Sequence, residues 1–349
     1  MHILEINTEK TWRGGEKQTL LTCRGLARAE MHVDLLCLEG FPLADKARRA
    51  GITVHAQSGQ PGAVRFLLAH GRNYDLIHVQ TARAQNWAVL TKPVHGRPVV
   101  CTRRVDFVPR GRLTLAKYRA TDRVVAISGA ISAVLGRFGI PDVPVIPSCI
   151  DLERTPEPSV SWEELCTKHQ VRGPKIIGTI AALVPHKDPL SMVRAVAHLS
   201  ELRNDFTFVH FGDGELREAV EQEILRLGLD SIYRLTGFQD NAEALLPRFD
   251  LFAMSSCEEG LGSTVLEAFR HRIPVAATTA GGLAELVAGR GLNSPVGDPE
   301  QLAENMHRLL DDPDLAEALA NRAHEYVLSE HSLKKMTRAY LELFSSMQG

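Results

Sequence analysis

The chain has 349 residues, of which 44% are hydrophobic and 23% charged, and its formal net charge is −2 at pH 7. This length predicts two domains with separate cores, and the near-zero net charge excludes nucleic-acid binding driven by overall electrostatics. The six cysteines show neither a CxxC pair nor zinc spacing, so we expect reduced cytosolic thiols. A signal peptide is not evident, and no apolar run approaches the ~20 residues of a membrane span. These features predict a cytoplasmic protein, with peripheral membrane contact left open.

Short apolar runs alternate with amphipathic stretches, a pattern typical of βα units around parallel sheets. In the first half, strands are predicted at His2–Ile6, His32–Leu38, Thr53–Ala56, Leu76–Val79, Pro98–Thr102, Arg123–Ile127 and Val143–Ile146. Helices are predicted at Gly15–Ala29 and Ser128–Phe138, with Ser128 as the N-cap. The segment Asp151–Trp162 is rich in proline and acidic residues, which predicts a linker.

The alternation restarts after this segment. Further strands are predicted at Lys175–Ile180, Phe206–Phe211, Tyr233–Thr236, Leu251–Met254 and Pro274–Ala277. Further helices are predicted at Pro189–Leu202, Glu215–Leu227, Ala242–Leu246, Ser263–His271, Leu283–Val287, Pro299–Leu310, Leu315–Leu328 and Ser332–Met347. The expected fold class is α/β, with two Rossmann-like parallel-sheet domains at residues 1–155 and 163–330 that face a central cleft. A helix at about 331–349 is expected to cross back to the first domain.

The segment from Cys257 to Val287 carries the most specific chemical pattern. Gly262 allows a close backbone approach before a predicted helix, whose first amides at Ser263, Thr264 and Val265 favour a phosphate. Glu267 follows one turn into the helix, where it can bind a ribose diol. Glu259 precedes the helix and can accept hydrogen bonds from a second polyol. This arrangement predicts a nucleotide-sugar site, although either glutamate alone would suit an exposed surface.

This segment resembles glycosyltransferase family 4, a family of retaining transferases with the GT-B fold. The resemblance lies in Glu259, the step Gly260-Leu261-Gly262, and Glu267 eight residues after the first acid. Ile273-Pro274-Val275-Ala276 and Gly281-Gly282 continue it. It covers nearly the whole chain and is strongest from residue 175 to 290. It implies transfer of a sugar from a nucleoside diphosphate to an acceptor hydroxyl, with the anomeric configuration retained.

The resemblance also implies roles for residues outside this segment. Lys187, in AALVPHKDP, corresponds to a diphosphate-binding lysine, and Glu259 is implied to act with it in catalysis. Glycines and an aromatic residue are implied on the donor side: Gly14, Gly15, Gly212, Gly237 and Phe238. On the acceptor side, Arg13, His78 and His186 are weaker candidates, and a buried structural imidazole is an equal alternative for His78.

Two departures from the family pattern change the expected charges. Ala181-Ala182-Leu183 replaces a common Gly-Arg-Leu, and Cys101-Thr102-Arg103-Arg104 stands where a histidine is common after the strand. Alanine cannot stabilise a leaving diphosphate, whereas arginine can do so with two hydrogen bonds. We therefore hypothesise that Arg103 or Arg104, with Arg13, supplies the missing charge.

The expected reaction uses no metal and no cofactor, because the nucleotide-sugar is itself a substrate. The only Asp-x-Asp sequence, Asp312-Pro313-Asp314, is interpreted as a surface turn. The departing phosphate oxygen is implied as the base for the acceptor proton. The nucleoside of the donor is expected to be uridine by prior frequency, with guanosine left open.

The expected acceptor is a glycan or glycolipid of the cell envelope, such as a lipopolysaccharide core. Basic residues are dense from Arg97 to Arg123 and alternate with apolar ones, which suits either an anionic membrane surface or a solvated helix face. Alternative hypotheses are a GT-B nucleotide-sugar epimerase, a phosphorylase and a non-catalytic nucleotide-sugar-binding partner. The oligomeric state is not predicted.

Overall fold

The computed structural model describes residues 1–154 and 156–347. Contacts divide the chain into an N-terminal unit, which comprises Met1–Asp151 and the residues from His331 onward, and a C-terminal unit, Leu152–Glu330. Thr155, the predicted end of the first domain, and residues 348–349, the end of the predicted last helix, lie outside the described residues.

The N-terminal unit contains a six-stranded parallel sheet in the order β3-β2-β1-β4-β5-β6. The strands are β1 His2–Ile6, β2 His32–Leu38, β3 Thr53–Gln57, β4 Leu76–Val79, β5 Val99–Arg103 and β6 Arg123–Ala126. Its first helices are α1 Gly14–Arg28, α2 Pro42–Arg49, α3 Gln60–His70, α4 Ala82–His95, α5 Arg112–Arg119 and α6 Gly129–Arg137. β4 and β5 are buried along their whole length, as expected for strands covered on both faces.

The C-terminal unit contains a second six-stranded parallel sheet in the order β12-β11-β10-β7-β8-β9. The strands are β7 Lys175–Ile180, β8 Phe206–Phe211, β9 Tyr233–Gly237, β10 Leu251–Met254, β11 Val275–Thr278 and β12 Leu292–Ser294. The helices are α7 Trp162–His169, α8 Pro189–Leu202, α9 Arg217–Arg226, α10 Ser263–Arg270, α11 Gly281–Val287, α12 Pro299–Asp311 and α13 Pro313–Glu330. Short 3-10 turns lie at Gly71–Asn73, Pro185–Lys187 and Ala242–Arg248.

The last helix, α14 Leu333–Ser345, belongs to the N-terminal unit and packs on α1. Tyr340 and Phe344 are almost completely buried in the core of that unit. The start of the helix is tied to the same unit by His331, whose Nδ1 lies 2.8 Å from the Ser148 carbonyl oxygen. Burial of this apolar face therefore fixes the end of the chain on the first sheet.

The expected fold class, two parallel α/β sheets with flanking helices, is confirmed, whereas some predicted elements are wrong. Val143–Ile146 forms only an isolated bridge between Val145 and Ala126, because the prolines around it interrupt a ladder. Helices α2 to α5, helix α7 and strand β12 were not predicted from the sequence. These are short or weakly periodic segments whose formation depends on packing against a sheet.

The predicted linker is anchored at both ends. Asp151 is buried in the N-terminal unit and forms an ion pair with Arg24, at 2.9 Å. Arg270 in α10 donates to the carbonyl oxygens of Leu152 (3.2 Å) and Arg154 (2.7 Å), within the C-terminal unit. The unit boundary therefore falls at the start of the proline-rich segment.

Candidate active site

The predicted residues of the C-terminal unit gather at the carboxyl edge of its sheet. β7 lies between β10 and β8, so the strand order reverses beside β7. Lys187 follows β7, Gly212 follows β8, Phe238 follows β9 and Glu259 follows β10. In open parallel sheets, ligands bind at this switch point. The topology thus brings together residues that are as much as 72 positions apart in the chain.

The loop after β10 leads into the first turn of α10. Gly262 adopts the left-handed region (φ 96°), so its conformation favours glycine, and a Cβ there would lie 2.9 Å from a terminal methyl group of Leu283. The predicted set of phosphate-binding amides is corrected at Val265, whose N–H donates to the Gly262 carbonyl at 3.0 Å. The amides of Ser263 and Thr264, which have no partner inside the helix, are the ones oriented for an anion.

Lys187 and Glu259 form an ion pair between the loops after β7 and β10. The lysine side chain is 20% exposed and that of the glutamate 13%, so water screens the pair only in part. The loops are also joined through their backbones, because the His186 carbonyl accepts hydrogen bonds from the amides of Cys257 (3.0 Å) and Glu258 (3.2 Å). The His186 side chain itself lies exposed at this loop. An ammonium group is therefore held at the loop that leads into α10, with a carboxylate as its counter-ion.

Glu267 lies one turn into α10 and is nearly buried. Its Oε2 lies 3.8 Å from Arg270 Nη1 on the same helix face. Of the two predicted acids, Glu259 therefore precedes the start of α10 and Glu267 lies within the helix.

Gly212 has a packing role in this structure. A Cβ at this position would overlap the Ala181 carbonyl oxygen, and the Gly212 amide donates to the Gly237 carbonyl at 2.9 Å. Gly212 thus lets the loops after β7, β8 and β9 meet, and its predicted place on the donor side stays a prediction. Gly237 itself has φ 74°, and Phe238 after it exposes 60% of its surface.

Arg217, at the start of α9, is a cation that the sequence reasoning missed. Its Nη1 lies 3.8 Å from the position of a Cβ on Gly237. It forms ion pairs with Asp213 (3.5 Å) and Glu221 (2.8 Å). Its position three residues after Gly214, in the loop following β8, is the signal that could have identified it.

His210 is confirmed as a core residue of β8. Its Nε2 lies 3.0 Å from the Ala181 carbonyl oxygen, so this nitrogen carries the proton, and Nδ1 accepts from the Tyr233 hydroxyl at 2.8 Å. Burial lowers the pKa of His210 to about 4. The neutral ring satisfies both partners, whereas protonation would remove the acceptor at Nδ1.

In the N-terminal unit, the loop after β1 leads into α1. Glu16 accepts a hydrogen bond from the Arg13 amide (2.8 Å) and one from the Thr11 hydroxyl (3.0 Å), and burial raises the pKa of its carboxyl group. Arg13 and Gly14 are exposed. A Cβ on Gly15 would meet no atom within 4 Å. The start of α1 is therefore open for a ligand to approach, and the glutamate holds its backbone.

His78 does not face solvent. Its ring is completely buried and lies 2.7 Å from Glu5 and 2.8 Å from the Thr102 hydroxyl. Thr102 in turn lies 2.9 Å from the Tyr340 hydroxyl of α14. This position fits the alternative of a buried structural imidazole, and the assignment of His78 to the acceptor side is therefore corrected.

Arg103 and Arg104 have different surroundings, although they are adjacent. Arg103 is buried, donates to the Tyr118 hydroxyl (2.6 Å) and to the Phe107 carbonyl, and lies over the Phe107 ring. Since these contacts stabilise its own loop, we correct the prediction that Arg103 acts on a ligand. Arg104 is half-buried, and its guanidinium is held by Gln80 at 2.8 Å and by Ser148.

The Asp312-Pro313-Asp314 sequence is a helix start. Asp312 Oδ1 accepts a hydrogen bond from the Leu315 amide at 2.9 Å, and Pro313 is the first residue of α13. An aspartate that caps a helix and a proline at the first helical position are a common combination. This position agrees with the interpretation as a turn between two helices.

Two parallel α/β units, with glycines, a lysine and acids at a strand-order switch, define a protein of the nucleotide-binding α/β class. The chain matches two family models, Glycosyltransferase Family 4 over residues 12–154 and Glycosyl transferases group 1 over residues 163–326. It belongs to glycosyltransferase family 4, has the GT-B fold and is a glycosyltransferase. The resemblance inferred from the motifs is thereby confirmed.

Individual relatives agree with this assignment. The 2-deoxystreptamine glucosyltransferase of Streptomyces kanamyceticus is 30% identical over 279 residues, 71% of this chain and 72% of the relative. A lipopolysaccharide core biosynthesis glycosyltransferase, LpsD of Rhizobium meliloti (strain 1021), is 29% identical over 286 residues, 80% of each chain. Anabaena Alr3699/HepE, solved with UDP and glucose, has a TM-score of 0.87 at 21% identity and covers 99% of this chain and 100% of its own.

Proposed function

We propose that the protein transfers a sugar from a UDP-sugar to a hydroxyl of a cell-envelope glycan or glycolipid, such as a lipopolysaccharide core, with retention of configuration. The observation that carries the proposal is the meeting of Lys187, Glu259 and the start of α10 at the switch point. Two similar proteins add support by their descriptions, one a lipopolysaccharide core glycosyltransferase and the other a structure with UDP and glucose.

The proposed donor lies across the start of α10. The amides of Ser263 and Thr264 and the ammonium of Lys187 bind the diphosphate, and Glu267 accepts hydrogen bonds from the ribose. Glu259 accepts hydrogen bonds from the transferred sugar. The bond from the anomeric carbon to the diphosphate oxygen breaks, the acceptor oxygen bonds to that carbon, and a diphosphate oxygen takes the acceptor proton. This reaction needs no metal or cofactor.

Because Ala182 replaces the arginine that is common in the family, the positive charge that stabilises the leaving diphosphate requires another source. Among the three arginines first considered, Arg103 is held in its own loop, whereas Arg13 is exposed and Arg104 is half-buried. We therefore propose Arg13 and Arg104 as the groups that stabilise the leaving diphosphate. Arg217 in the C-terminal unit is a further candidate, because it lies beside Gly237.

The first experiment is a thermal-shift screen against UDP, GDP, ADP and their sugars, followed by a product assay. Stabilisation by UDP and transfer of sugar to a lipopolysaccharide core acceptor would support the proposal. Donor isomerisation without an acceptor product would favour an epimerase, and phosphate-dependent donor formation would favour a phosphorylase. Binding without turnover would favour a non-catalytic partner. Transfer only to a soluble aminocyclitol would refute the envelope acceptor and leave the transferase assignment intact.

The acceptor proposal includes contact with an anionic membrane through residues 97–123, chiefly the loop after β5 and the start of α5. Phe107, Val108 and Leu113 expose 52%, 57% and 88% of their surface, and Arg110 and Arg112 lie exposed among them. None of the helices in the described part of the chain combines the length and apolar character that crossing a bilayer requires. Apolar side chains beside cations suit a lipid surface, where each cation contributes ~1 kcal/mol.

A vesicle sedimentation assay tests this contact. Binding should be stronger to vesicles that contain phosphatidylglycerol than to phosphatidylcholine vesicles, and should weaken with salt. Leu113→Ser should reduce it, whereas Leu90→Ser, at another exposed apolar position on α4, serves as the matched control. Equal effects of the two variants, or no preference for anionic lipid, would refute the contact.

A further inference from the structure

The guanidinium of Arg104 is held in place without losing its positive charge. Its Nη2 and Nε both donate to the side-chain oxygen of Gln80, at 2.8 and 3.2 Å, and its Nη1 donates to the Ser148 hydroxyl at 3.2 Å. Both acceptors are neutral, and no carboxylate in the described part of the chain forms an ion pair with Arg104. Since a guanidinium has five N–H groups, one N–H on each terminal nitrogen stays available to an anion.

The sheet of the N-terminal unit brings Gln80 to Arg104. Gln80 directly follows β4 and Arg104 directly follows β5, and these two strands are parallel neighbours. Side chains alternate between the faces of a strand, so Gln80 shares a face with His78 two residues earlier. Arg104 shares that face with Thr102, whose hydroxyl lies 2.8 Å from His78 Nε2. Arg103 takes the opposite face, which explains why adjacent arginines have different surroundings.

The side-chain amide of Gln80 has one orientation that satisfies its neighbours. Arginine nitrogens can only donate, so the amide oxygen faces Arg104 and Nε2 donates to Glu5 Oε2, at 2.9 Å. The reversed amide would place N–H groups against the guanidinium and an oxygen against the carboxylate. Glu5 is itself held, because its Oε1 lies 2.7 Å from His78 Nδ1. Glu5 and His78 are completely buried and Gln80 is 5% exposed, so water does not replace these contacts.

We infer that Gln80 is a positioning residue for sugar transfer. Glu5 sets the orientation of the Gln80 amide, and the amide oxygen holds the Arg104 guanidinium at the carboxyl edge of the N-terminal sheet. This inference rests on the proposed role of Arg104 at the leaving diphosphate. A neutral oxygen orients the guanidinium without cancelling its charge, whereas a carboxylate in its place would form an ion pair and compete with the diphosphate. A charge that is oriented in advance stabilises the developing phosphate charge without reorganisation during the reaction.

Gln80→Met tests the inference, because it keeps the approximate size of the side chain and removes both hydrogen-bonding groups. It should lower kcat about three- to tenfold, less than Arg104→Gln does, because the guanidinium remains but is no longer held. The KM of the donor should change less than kcat, since orientation matters most when the phosphate charge develops. Gln85→Met is the matched control and should leave kcat nearly unchanged. Gln85, on α4, is also buried, and its amide donates to the Thr121 hydroxyl at 3.0 Å instead.

The double variant Gln80→Met/Arg104→Gln shows whether Gln80 acts through Arg104. Its kcat should equal that of Arg104→Gln alone, because an orienting group has no effect once the guanidinium is gone. A double variant in which the two single effects multiply would overturn the inference, because Gln80 would then act on another group. An unchanged kcat in Gln80→Met, or an equal fall in Gln85→Met, would overturn it as well.

The Arg104 side chain provides a measurement that does not depend on turnover. In protein labelled with ¹⁵N-arginine, the Nε–H resonance of Arg104 is identified by its loss in Arg104→Gln. This proton should exchange with water more slowly in the unaltered protein and in Gln85→Met than in Gln80→Met. Equal exchange in all three proteins would refute the hold of Gln80 on the guanidinium.

The failure of this inference differs from the failure of the proposed function. A protein that transfers no sugar refutes the proposed function. A transferring protein in which Arg104→Gln keeps full kcat refutes the role of Arg104, and the inference with it. If Arg104→Gln lowers kcat and Gln80→Met does not, only the positioning role of Gln80 is refuted.

Discussion

Separate substitutions of Lys187 and Glu259 give opposite predicted effects on UDP affinity, because the carboxylate competes with the diphosphate for the ammonium. Lys187→Ala removes one charge-assisted hydrogen bond to the diphosphate, worth about 1.5–3 kcal/mol, so the Kd of UDP should rise about 10- to 150-fold. Glu259→Gln frees the Lys187 ammonium from its ion pair, which is worth about 1 kcal/mol because both side chains keep some exposure. UDP should therefore bind about fivefold more tightly to this variant.

Turnover should nevertheless fall in both variants. Loss of the lysine removes a donor aimed at the developing phosphate charge, which typically costs ~10²–10³ in kcat. Loss of the glutamate carboxylate removes an acceptor for the hydroxyls of the transferred sugar. Calorimetry with UDP and a discontinuous transfer assay measure the two effects separately. Weaker UDP binding in Glu259→Gln, comparable to that in Lys187→Ala, would refute the competition between carboxylate and diphosphate.

Three further predictions concern stability, pH and the adjacent arginines. Gly212→Ala should lower the free energy of unfolding by more than ~2 kcal/mol, because its Cβ would overlap the Ala181 carbonyl and φ is 151°. His210, whose pKa burial lowers from 6.5 to about 4, should contribute stability that is complete above pH 6.5 and falls by about 3 kcal/mol toward pH 4. Arg103→Ala should lower the melting temperature more than Arg104→Gln, which removes only the hydrogen bonds to Gln80 and Ser148, whereas Arg104→Gln should lower kcat by about tenfold or more.

Urea unfolding and enzyme kinetics measure these effects, and further variants provide the controls. Gly15→Ala should be stable, because no atom lies within 4 Å of its Cβ position. His210→Gln should flatten the decline in stability between pH 6.5 and 4, and an unchanged decline would show that other groups cause it. If Arg103→Ala and Arg104→Gln lose the same stability and the same activity, the distinction between the two arginines is wrong.

The sequence by itself determined the class of fold and the principal chemical motif. Alternating apolar and amphipathic segments specify βα units, because each strand and helix must bury one face. The glycine before α10 could be recognised locally, since Gly262 needs a left-handed backbone and the helix after it leaves its first amides without partners. The pair of acids around this helix start follows from spacing along one short segment.

Only the tertiary structure decided which side chains are accessible. Arg103 and Arg104 are neighbours in sequence, yet one is enclosed by Tyr118 and Phe107 while the other reaches the edge of the sheet. His78 ends in a buried hydrogen-bond chain that depends on Tyr340, 262 positions later. Local patterns specify backbone conformation, but burial and pairing of a charged group depend on contacts between distant segments, which no local pattern encodes.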